Sequence, residues 1–236
     1  MCAAPHSAGQ PRTATGLRTV LFDLDGTLVD TAPDLARALN QALRAFGHPE
    51  LPFERIRPVV SHGAGALIRL GTGLTPEDPG YEPRRQALLD HYAAHIADHS
   101  HLFPGMDRVL AHLEARGLRW GVVTNKPRRF SEPLLEALDL RARAATLVCG
   151  DTLARNKPHP DPLLLACRDT GVGAAECLYV GDAERDIEAG RRAGMHTAVA
   201  LFGYLEPGAR PEHWGADLLL AAPTDLLHWL GPAEAR

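Results

Sequence analysis

The chain has 236 residues, 45% of them hydrophobic, which is enough for a sizeable core in one large domain or in a domain with an insertion. Its 25 Lys and Arg against 29 Asp and Glu give a net charge of -4, so no broad cationic surface indicates nucleic acid or an anionic membrane as a partner. No apolar run reaches membrane-spanning length, and the four cysteines lack metal-site spacing and disulfide-framework density. We therefore expect a globular, soluble, cytoplasmic protein.

Residues 1–16 are rich in Ala, Pro, Ser, Thr and Gly and contain no apolar segment of the kind that a signal peptide needs. A segment of this composition cannot bury enough apolar surface to fold. We therefore expect residues 1–16 to be a disordered tail.

The first predicted element is a strand at residues 20–22, which is continuously apolar and is therefore expected to be buried on both faces, as in a parallel sheet. Asp23 and Asp25 follow it, and Gly26 ends it. The i, i+2 spacing places both carboxylates on the same side of an extended backbone. Ligands bind at this edge of a parallel sheet, although an ordinary strand-to-turn junction has the same pattern.

A helical block comes next. One helix is expected from Thr31, as its cap, to Phe46, because the apolar residues between them form a single stripe. Further helical patterns cover residues 64–70 and 84–98, and no buried strand is predicted in this region. Because the block directly follows the Asp-x-Asp strand, we expect residues 34–99 to form an all-helical cap that acts as a lid.

Strands and helices alternate in the rest of the chain. The predicted strands cover residues 120–124, 146–149, 177–180, 197–201 and 217–220. The predicted helices cover residues 105–116, 129–138, 161–170 and 184–193. This alternation is typical of βαβ units and a parallel sheet. The sequence therefore predicts an α/β fold, with a Rossmann-like parallel-sheet core from residues 17–33 and 100–236 and an inserted all-α cap domain.

Polar side chains follow several of these strands. Thr124 and Asn125 end one strand, Lys157 precedes a Pro-rich turn, and Asp182 ends another strand with Asp186 four residues on. Taken singly, each has a simpler interpretation, as a helix cap, a solvated lysine or helix-capping acids. Since the carboxyl ends of parallel strands share one edge of a sheet, we expect these side chains to meet Asp23 and Asp25 there.

Clustered acids repel one another, so the arrangement is costly unless a cation lies among them. Oxygen ligands without His or Cys at a coordinating spacing suit Mg²⁺. Together with a lysine and a hydroxyl, such an ion indicates a phosphate site. One carboxylate can attack phosphorus to form an aspartyl-phosphate, and a second can move the proton.

In these motifs and their order the chain resembles the haloacid dehalogenase (HAD) superfamily, in the phosphoglycolate phosphatase-like branch with a helical cap after the first strand. The resemblance implies that Asp23 is the nucleophile and that Asp25 is the general acid/base, whose backbone carbonyl also binds the metal. It implies that Thr124, with Gly26 and Asn125, binds phosphate. The second acid argues for phosphoryl chemistry, because the dehalogenases that attack carbon do not need it.

The resemblance assigns Lys157 to catalysis, where it would neutralise charge on the nucleophile and the phosphoryl group. It makes Asp182 a direct Mg²⁺ ligand and Asp186 an acidic partner in the metal shell, so that Asp23, Asp25, Asp182 and Asp186 form the expected metal set. Ala183 stands where relatives often have Ser, which affects a minor hydrogen bond but not the metal site.

In the cap, residues 61–65 resemble the family's loop that reaches the active site, so His62 and Gly63 are candidate substrate-binding residues, with Arg69 nearby. A glycine-rich helix start is the alternative interpretation. His91, His95 and His99 recur every four residues, a spacing at which imidazoles can share a metal. We interpret them as one face of a helix, because no acid or Cys ligand accompanies them.

Three stretches are similar to the N-acetylmuramic acid 6-phosphate phosphatases: residues 100–106, residues 120–127 with Arg129 and Phe130, and residues 214–217. We therefore favour that amino-sugar phosphate as substrate, with 2-phosphoglycolate as the alternative. A β-phosphoglucomutase-like sugar-phosphate mutase and a receiver-type regulatory protein are further alternatives. The expected partner is a small phosphorylated metabolite, and no feature of the sequence indicates an oligomeric state.

Overall fold

The computed structural model describes residues 16–231, so the predicted tail, except Gly16, lies outside the described residues. The strands are β1 (Thr19–Phe22), β2 (Val29–Asp30), β3 (His101–Leu102), β4 (Arg119–Val123), β5 (Leu147–Val148), β6 (Cys177–Gly181), β7 (His196–Ala200) and β8 (Leu218–Leu220). Six of them form a parallel sheet in the order β5-β4-β1-β6-β7-β8. The predicted α/β fold is confirmed.

Helices surround this sheet. The α-helices are α1 (Ala32–Ala45), α2 (Phe53–Ile56), α3 (Gly63–Thr72), α4 (Tyr81–Ala94), α5 (Met106–Ala115), α6 (Arg128–Ala137), α7 (Asp161–Thr170), α8 (Glu184–Ala193) and α9 (Asp225–Leu230). Short 3-10 helices cover Arg57–His62, Ala174–Glu176 and Pro211–His213. Within residues 16–231, no helix combines the length and the apolar character that a membrane crossing requires.

β1 lies at the centre of the sheet and is buried on both faces, as predicted. Val20 and Phe22 contact the larger core cluster, and Leu21 contacts the smaller cluster on the opposite face. The strand is continuously apolar because every position faces packed helices rather than water. Its carboxyl end is therefore fixed in position between β4 and β6.

The cap region contains α1 to α4. Helix α1 packs along α4 and also contacts α3, and these helices share one apolar core. The most buried side chains of this shared core include Leu39, Leu43, Leu67, Ile68 and Leu88. Between residues 34 and 99 the structure has helices and no strand. The domain boundaries at residues 34 and 99 stay a prediction.

A two-stranded antiparallel sheet flanks this insertion and was not predicted. β2 pairs with β3, which brings Val29 opposite Leu102 and Asp30 opposite His101. Strands of two residues have no measurable hydrophobic period, so sequence patterns cannot reveal them. The pair joins the segment that enters the cap to the segment that leaves it.

Asp34, which is 2% exposed, makes a second connection at this joint. Its Oδ2 accepts hydrogen bonds from the Ser100 backbone N–H at 2.8 Å, the Ser100 hydroxyl at 2.7 Å and the His99 N–H at 3.0 Å. Buried carboxylates need such donors to offset the loss of water. Asp34 thus ties the first turn of α1 to the chain returning from α4.

Thr31 precedes α1, but its side chain does not cap the helix as expected. Its hydroxyl donates to Asp25 Oδ1 at 2.6 Å, since a carboxylate is a stronger acceptor than a neutral group. The Tyr204 hydroxyl takes its place as acceptor for the first helical N–H groups, at 2.7 Å from the Thr31 nitrogen and 2.9 Å from that of Ala32. A residue of the core therefore holds the start of α1.

Candidate active site

Three neighbouring strands bring their polar ends together. In the sheet, Phe22 of β1 is in register with Val122 of β4 and with Val180 of β6. The residues that follow these strands are therefore neighbours at one edge. Asp23, Thr124 and Asp182 lie there, and all three are at most 4% exposed.

Asp23, Asp182 and Asp186 form a buried acidic cluster. One carboxylate oxygen from each lies within 4.8 Å of the others. Burial, together with the negative charges of Asp23 and Asp186, raises the pKa of Asp182 to about 7. Burial also raises the pKa of Asp186. The charged forms of these acids are therefore unfavourable without a cation among them.

Lys157 supplies part of the missing positive charge. Its Nζ lies 2.9 Å from Asp23 Oδ1 and 2.7 Å from Asp186 Oδ1, and its side chain is 1% exposed. Nζ also donates to the Tyr179 hydroxyl at 2.7 Å, and that hydroxyl donates to the Val123 carbonyl at 2.8 Å. Burial raises the pKa of Tyr179 well above its usual value, so the hydroxyl stays neutral. Tyr179 thus fixes Lys157 between two acids.

Asn125 holds the backbone on which Lys157 is carried. Its side-chain amide donates to the Lys157 carbonyl at 3.0 Å, and its oxygen accepts the Lys157 N–H at 3.2 Å. Thr124 Oγ1 accepts the Lys126 N–H at 3.2 Å. Both predicted residues also line a cavity of about 370 Å³ beside Asp23, and their assignment to phosphate binding stays a prediction.

Gly26 lies against Asp182 and has a φ of +84°. A Cβ at this position would be 2.2 Å from Asp182 Oδ2, so only glycine allows the backbone to approach this carboxylate. The same oxygen accepts the Tyr204 N–H at 2.8 Å and the Ser61 hydroxyl at 3.3 Å. Asp182 is thus held by the core and by the cap together.

Asp25 forms a separate group with a second lysine. Its Oδ1 accepts Lys126 Nζ at 2.8 Å, and the side chains are 15% and 8% exposed. Nζ also donates to the Tyr92 hydroxyl of helix α4 at 2.8 Å. Although burial opposes the charge, the Asp25 carboxylate raises the pKa of Lys126. Burial raises the pKa of Tyr92 to about 12, so its hydroxyl stays neutral.

The cap loop reaches the site where the sequence placed it. The 3-10 helix Arg57–His62 ends beside the acidic cluster, where Ser61 contacts Asp182, and the Ser61 carbonyl accepts Arg185 Nη2 at 3.0 Å. The His62 Nε2 atom contacts a Glu206 carboxylate oxygen, and His62 and Gly63 line the cavity of about 370 Å³. Whether His62 and Gly63 bind substrate stays a prediction.

Arg69 lies elsewhere: it lines a neighbouring cavity of about 580 Å³. The three histidines also lie apart from the acids. His91 is on α4, but His95 and His99 follow its last residue, so the prediction that all three form one helix face is wrong. The His91 and His95 rings are tilted with centres 4.5 Å apart, His95 contacts Asp98, and His99 contacts Arg37. In the described part of the chain, the acids Asp23, Asp182 and Asp186 are the group whose geometry could hold a metal ion.

Several site residues were missed from the sequence: Lys126, Tyr92, Tyr179, Arg185 and Tyr204. Lys126 could have been found, since it directly follows two predicted residues at a strand end. Arg185, next to Asp186, had the same kind of signal. The three tyrosines had none, because a buried tyrosine is usually a core residue and its hydroxyl contacts depend on the tertiary fold.

The donor set fits a hard divalent cation. Three carboxylates meet two cations here, since Lys157 contacts two of the acids and the charges of all three raise the pKa of Arg185. The three carboxylates and the two side-chain cations leave one net negative charge. A bound divalent ion would make the net charge of the site positive, which favours binding of an anionic phosphate. Oxygen donors without nitrogen or sulfur are the ligands that such ions prefer.

Comparison with known proteins agrees with this fold. A family model described as haloacid dehalogenase-like hydrolase matches residues 20–200. The chain is 47% identical over 218 residues to N-acetylmuramic acid 6-phosphate phosphatase of Pseudomonas aeruginosa, with 92% of this chain and 96% of the relative covered. It is 43% identical over 209 residues to a phosphoglycolate phosphatase of Xanthomonas campestris, with 89% and 94% covered.

A solved structure gives the same result at the level of the fold. A protein of Haemophilus somnus described as a "predicted phosphoglycolate phosphatase" superposes with a TM-score of 0.82 and 26% identity, covering 91% of this chain and 98% of that one. The chain belongs to the haloacid dehalogenase-like hydrolase family. Within that family it is a phosphatase, as its relatives are named.

Proposed function

We propose that the chain is a Mg²⁺-dependent phosphatase that hydrolyses N-acetylmuramic acid 6-phosphate through an aspartyl-phosphate on Asp23. The observation that carries this proposal is the position of Lys157 Nζ, 2.9 Å from Asp23 Oδ1 and 2.7 Å from Asp186 Oδ1 in a buried acidic cluster. A cation held against the Asp23 carboxylate orients it and offsets the repulsion of an incoming anionic phosphate.

In the first step an Asp23 oxygen attacks phosphorus, the bond to the ester oxygen breaks, and the phosphoryl group is transferred to the carboxylate. Lys157 lowers the electrostatic cost of bringing an anionic phosphate to this anionic nucleophile. Thr124, 4% exposed directly after β4, would donate its hydroxyl to a phosphate oxygen.

Asp25 moves the proton. In the first step it protonates the departing ester oxygen, and in the second it takes a proton from the water that attacks the aspartyl-phosphate. Its hydrogen bonds to Lys126 and Thr31, at 2.8 and 2.6 Å, hold the carboxyl group in place. The two acids thus have separate roles and separate lysine partners.

Asp23, Asp182 and Asp186 would hold Mg²⁺, with the backbone carbonyl of Asp25. When bound, the ion supplies charge neutralisation for the phosphoryl group and the acids. The pKa of about 7 for Asp182 supports a cation in this cluster, since burial next to two further acids otherwise favours its neutral form.

The amino-sugar substrate is supported by the 47% identity to the Pseudomonas aeruginosa enzyme and by the size of the cavity, about 370 Å³. Leu35, Leu89, Tyr92 and Phe130 give this cavity apolar and aromatic walls that suit a sugar ring. The second candidate is 2-phosphoglycolate, favoured by the 43% identity to the Xanthomonas campestris relative. We place the enzyme in the cytoplasm, consistent with the free thiols of Cys149, Cys167 and Cys177.

A substrate panel tests the proposal. Phosphate release is measured with Mg²⁺ and with EDTA for N-acetylmuramic acid 6-phosphate, 2-phosphoglycolate and hexose 6-phosphates, ranked by kcat/KM. We expect the amino-sugar phosphate to rank first and Asp23→Asn to abolish its turnover. A higher rank for 2-phosphoglycolate would transfer the assignment to the second candidate, and isomerised sugar phosphate without phosphate release would identify a mutase.

A further inference from the structure

The cavity beside the acidic site contains more positive charge than a phosphate alone requires. Four Lys and Arg side chains line it: Arg85, Lys126, Arg129 and Arg185. A pocket that binds only a phosphomonoester and a neutral sugar has no need for a guanidinium group away from the reacting carboxylates. The partners of each cation show which of them is available to a ligand.

Three of the four cations already face carboxylates. Lys126 pairs with Asp25 at 2.8 Å. Arg185 lies in the field of the metal-binding acids, which raise its pKa, and also donates to the Ser61 carbonyl. Arg85 pairs with Glu82 at 2.8 Å. Among residues 16–231, Arg129 has no carboxylate partner, and its guanidinium contacts an aromatic ring instead.

Arg129 lines the cavity and lies against one of its aromatic walls. Its Cζ lies 4.6 Å from the centre of the Phe130 ring, and this ring lies 5.6 Å from the ring of Tyr92. Tyr92 in turn contacts Lys126 at the catalytic end of the cavity. A guanidinium over an aromatic face keeps its edge free for hydrogen bonds while its orientation is restrained.

Helix α4 gives the direction of the cavity. Arg85, Leu89 and Tyr92 follow an i, i+4, i+7 pattern, so one face of α4 lines the cavity from end to end. Tyr92 lies at the catalytic end, and Arg85 is two turns away, about 10 Å along the helix axis. A ligand with its phosphate at Asp23 would lie along this face of α4, in the cavity that Phe130 and Arg129 also line.

The substrates in the names of two relatives cited above share one chemical feature besides phosphate. N-acetylmuramic acid 6-phosphate carries a carboxylate on its lactyl ether, and phosphoglycolate carries one on its only other carbon. Arginine is the residue whose planar fork matches a carboxylate with two hydrogen bonds. An unpaired arginine in the cavity thus corresponds to the group that these two otherwise different molecules have in common.

We infer that Arg129 binds a carboxylate of the substrate, so that the enzyme selects phosphomonoesters that also carry a carboxylic acid. This inference rests on the proposed function, since it requires that the ester be hydrolysed at Asp23. It goes further by naming the residue that selects the class of substrate. Arg129 acts here as a specificity residue and takes no part in the chemical steps.

The test compares each acid with its neutral amide. Released phosphate gives kcat/KM for N-acetylmuramic acid 6-phosphate and its lactyl amide, and for 2-phosphoglycolate and its amide. For the wild type we expect an acid-to-amide ratio of about 10 or more, because a charge-assisted hydrogen-bond pair is worth roughly tenfold to hundredfold. Arg129→Gln should bring the ratio close to one, and Arg129→Lys should leave it between these values.

Arg128→Gln is the matched control, since it removes the same charge from the preceding residue, which does not line the cavity. It should keep the wild-type ratio. The inference is overturned if the wild type hydrolyses acid and amide equally, or if Arg129→Gln, folded by circular dichroism, retains the wild-type ratio. Failure of the proposed function has a different result: the wild type then hydrolyses none of the four esters.

Discussion

At the scale of single residues, each of the two acids in the Asp-x-Asp pair has its own lysine. Asp23 faces Lys157, and Asp25 faces Lys126, with nitrogen-to-oxygen distances of 2.9 and 2.8 Å. Both lysines are buried and donate to a tyrosine hydroxyl that fixes their position. Two carboxylates separated by one residue can therefore have different surroundings and different chemistry.

Tyr92 connects Asp25, through Lys126, to the cap, and Tyr92→Phe removes only the hydroxyl that receives Lys126 Nζ. We expect kcat/KM to fall about threefold to tenfold, because Lys126 loses one of its two side-chain partners and orients Asp25 less well. The measurement is phosphate release at saturating Mg²⁺. Tyr81→Phe makes the same change on the same helix outside the catalytic cavity and should not alter kcat/KM. Equal effects of the two variants would refute the positioning role of Tyr92.

At the scale of elements, the β1-to-α1 turn depends on the backbone of Gly26. Gly26→Ala combines a positive φ of 84° with a contact of 2.2 Å to Asp182 Oδ2, so we expect Asp182 to be displaced and Mg²⁺-dependent activity to fall at least tenfold. Activity as a function of Mg²⁺ concentration checks this. Gly47→Ala is the control, since its φ of +73° gives similar strain with nothing within 4 Å of the new Cβ. If both variants keep full activity, the close approach at Gly26 has no functional importance.

The strands show which parts of the fold and of the site can be predicted from the sequence alone. β1, β4 and β6 were predictable because short apolar runs alternate with helices, and a parallel sheet necessarily gathers the residues that follow its strands. Asp23, Thr124 and Asp182 could therefore be placed together before any coordinates. Lys126 and Tyr92 are 34 residues apart, and their contact arises only when α4 packs over the core, so no local pattern encodes it.

The side chains near the cap joint show the same limit. Thr31 has the residue type and position of a helix cap, yet its hydroxyl bonds to Asp25. The capping preference of threonine applies to a helix end considered in isolation. In this structure the partly buried Asp25 carboxylate, six residues earlier, is a stronger acceptor for the Thr31 hydroxyl. Tyr204, which replaces Thr31 as the acceptor, lies 173 residues further along the chain.

At the scale of the whole molecule, the buried acids link stability to pH and to metal. The pKa of Asp182 is raised to about 7 in the folded state from an ordinary value of 3.8. Between these values the folded protein holds a proton that the unfolded chain has lost, so this group makes the free energy of unfolding fall as pH rises from about 5 to 7. The contribution is of the order of a few kcal/mol.

Urea denaturation in EDTA at several pH values between 5 and 8 measures this dependence. Asp182→Asn should flatten the decline over that range, because the amide does not titrate. Adding Mg²⁺ should stabilise the wild type more at pH 8 than at pH 5, since metal and proton compete for the same oxygens. An equal stabilisation by Mg²⁺ at both pH values would show that the ion binds elsewhere.

The central claim is that Asp23 carries the phosphoryl group during turnover. Asp25→Asn should slow hydrolysis of the intermediate, so a rapid acid quench after mixing this variant with Mg²⁺ and N-acetylmuramic acid 6-phosphate should trap it for peptide mass spectrometry. We expect one phosphoryl group on the peptide that contains Asp23, removed by hydroxylamine and missing when Asp23 is also replaced by Asn. Continued phosphate release by Asp23→Asn, or phosphorylation at another residue, would contradict the account.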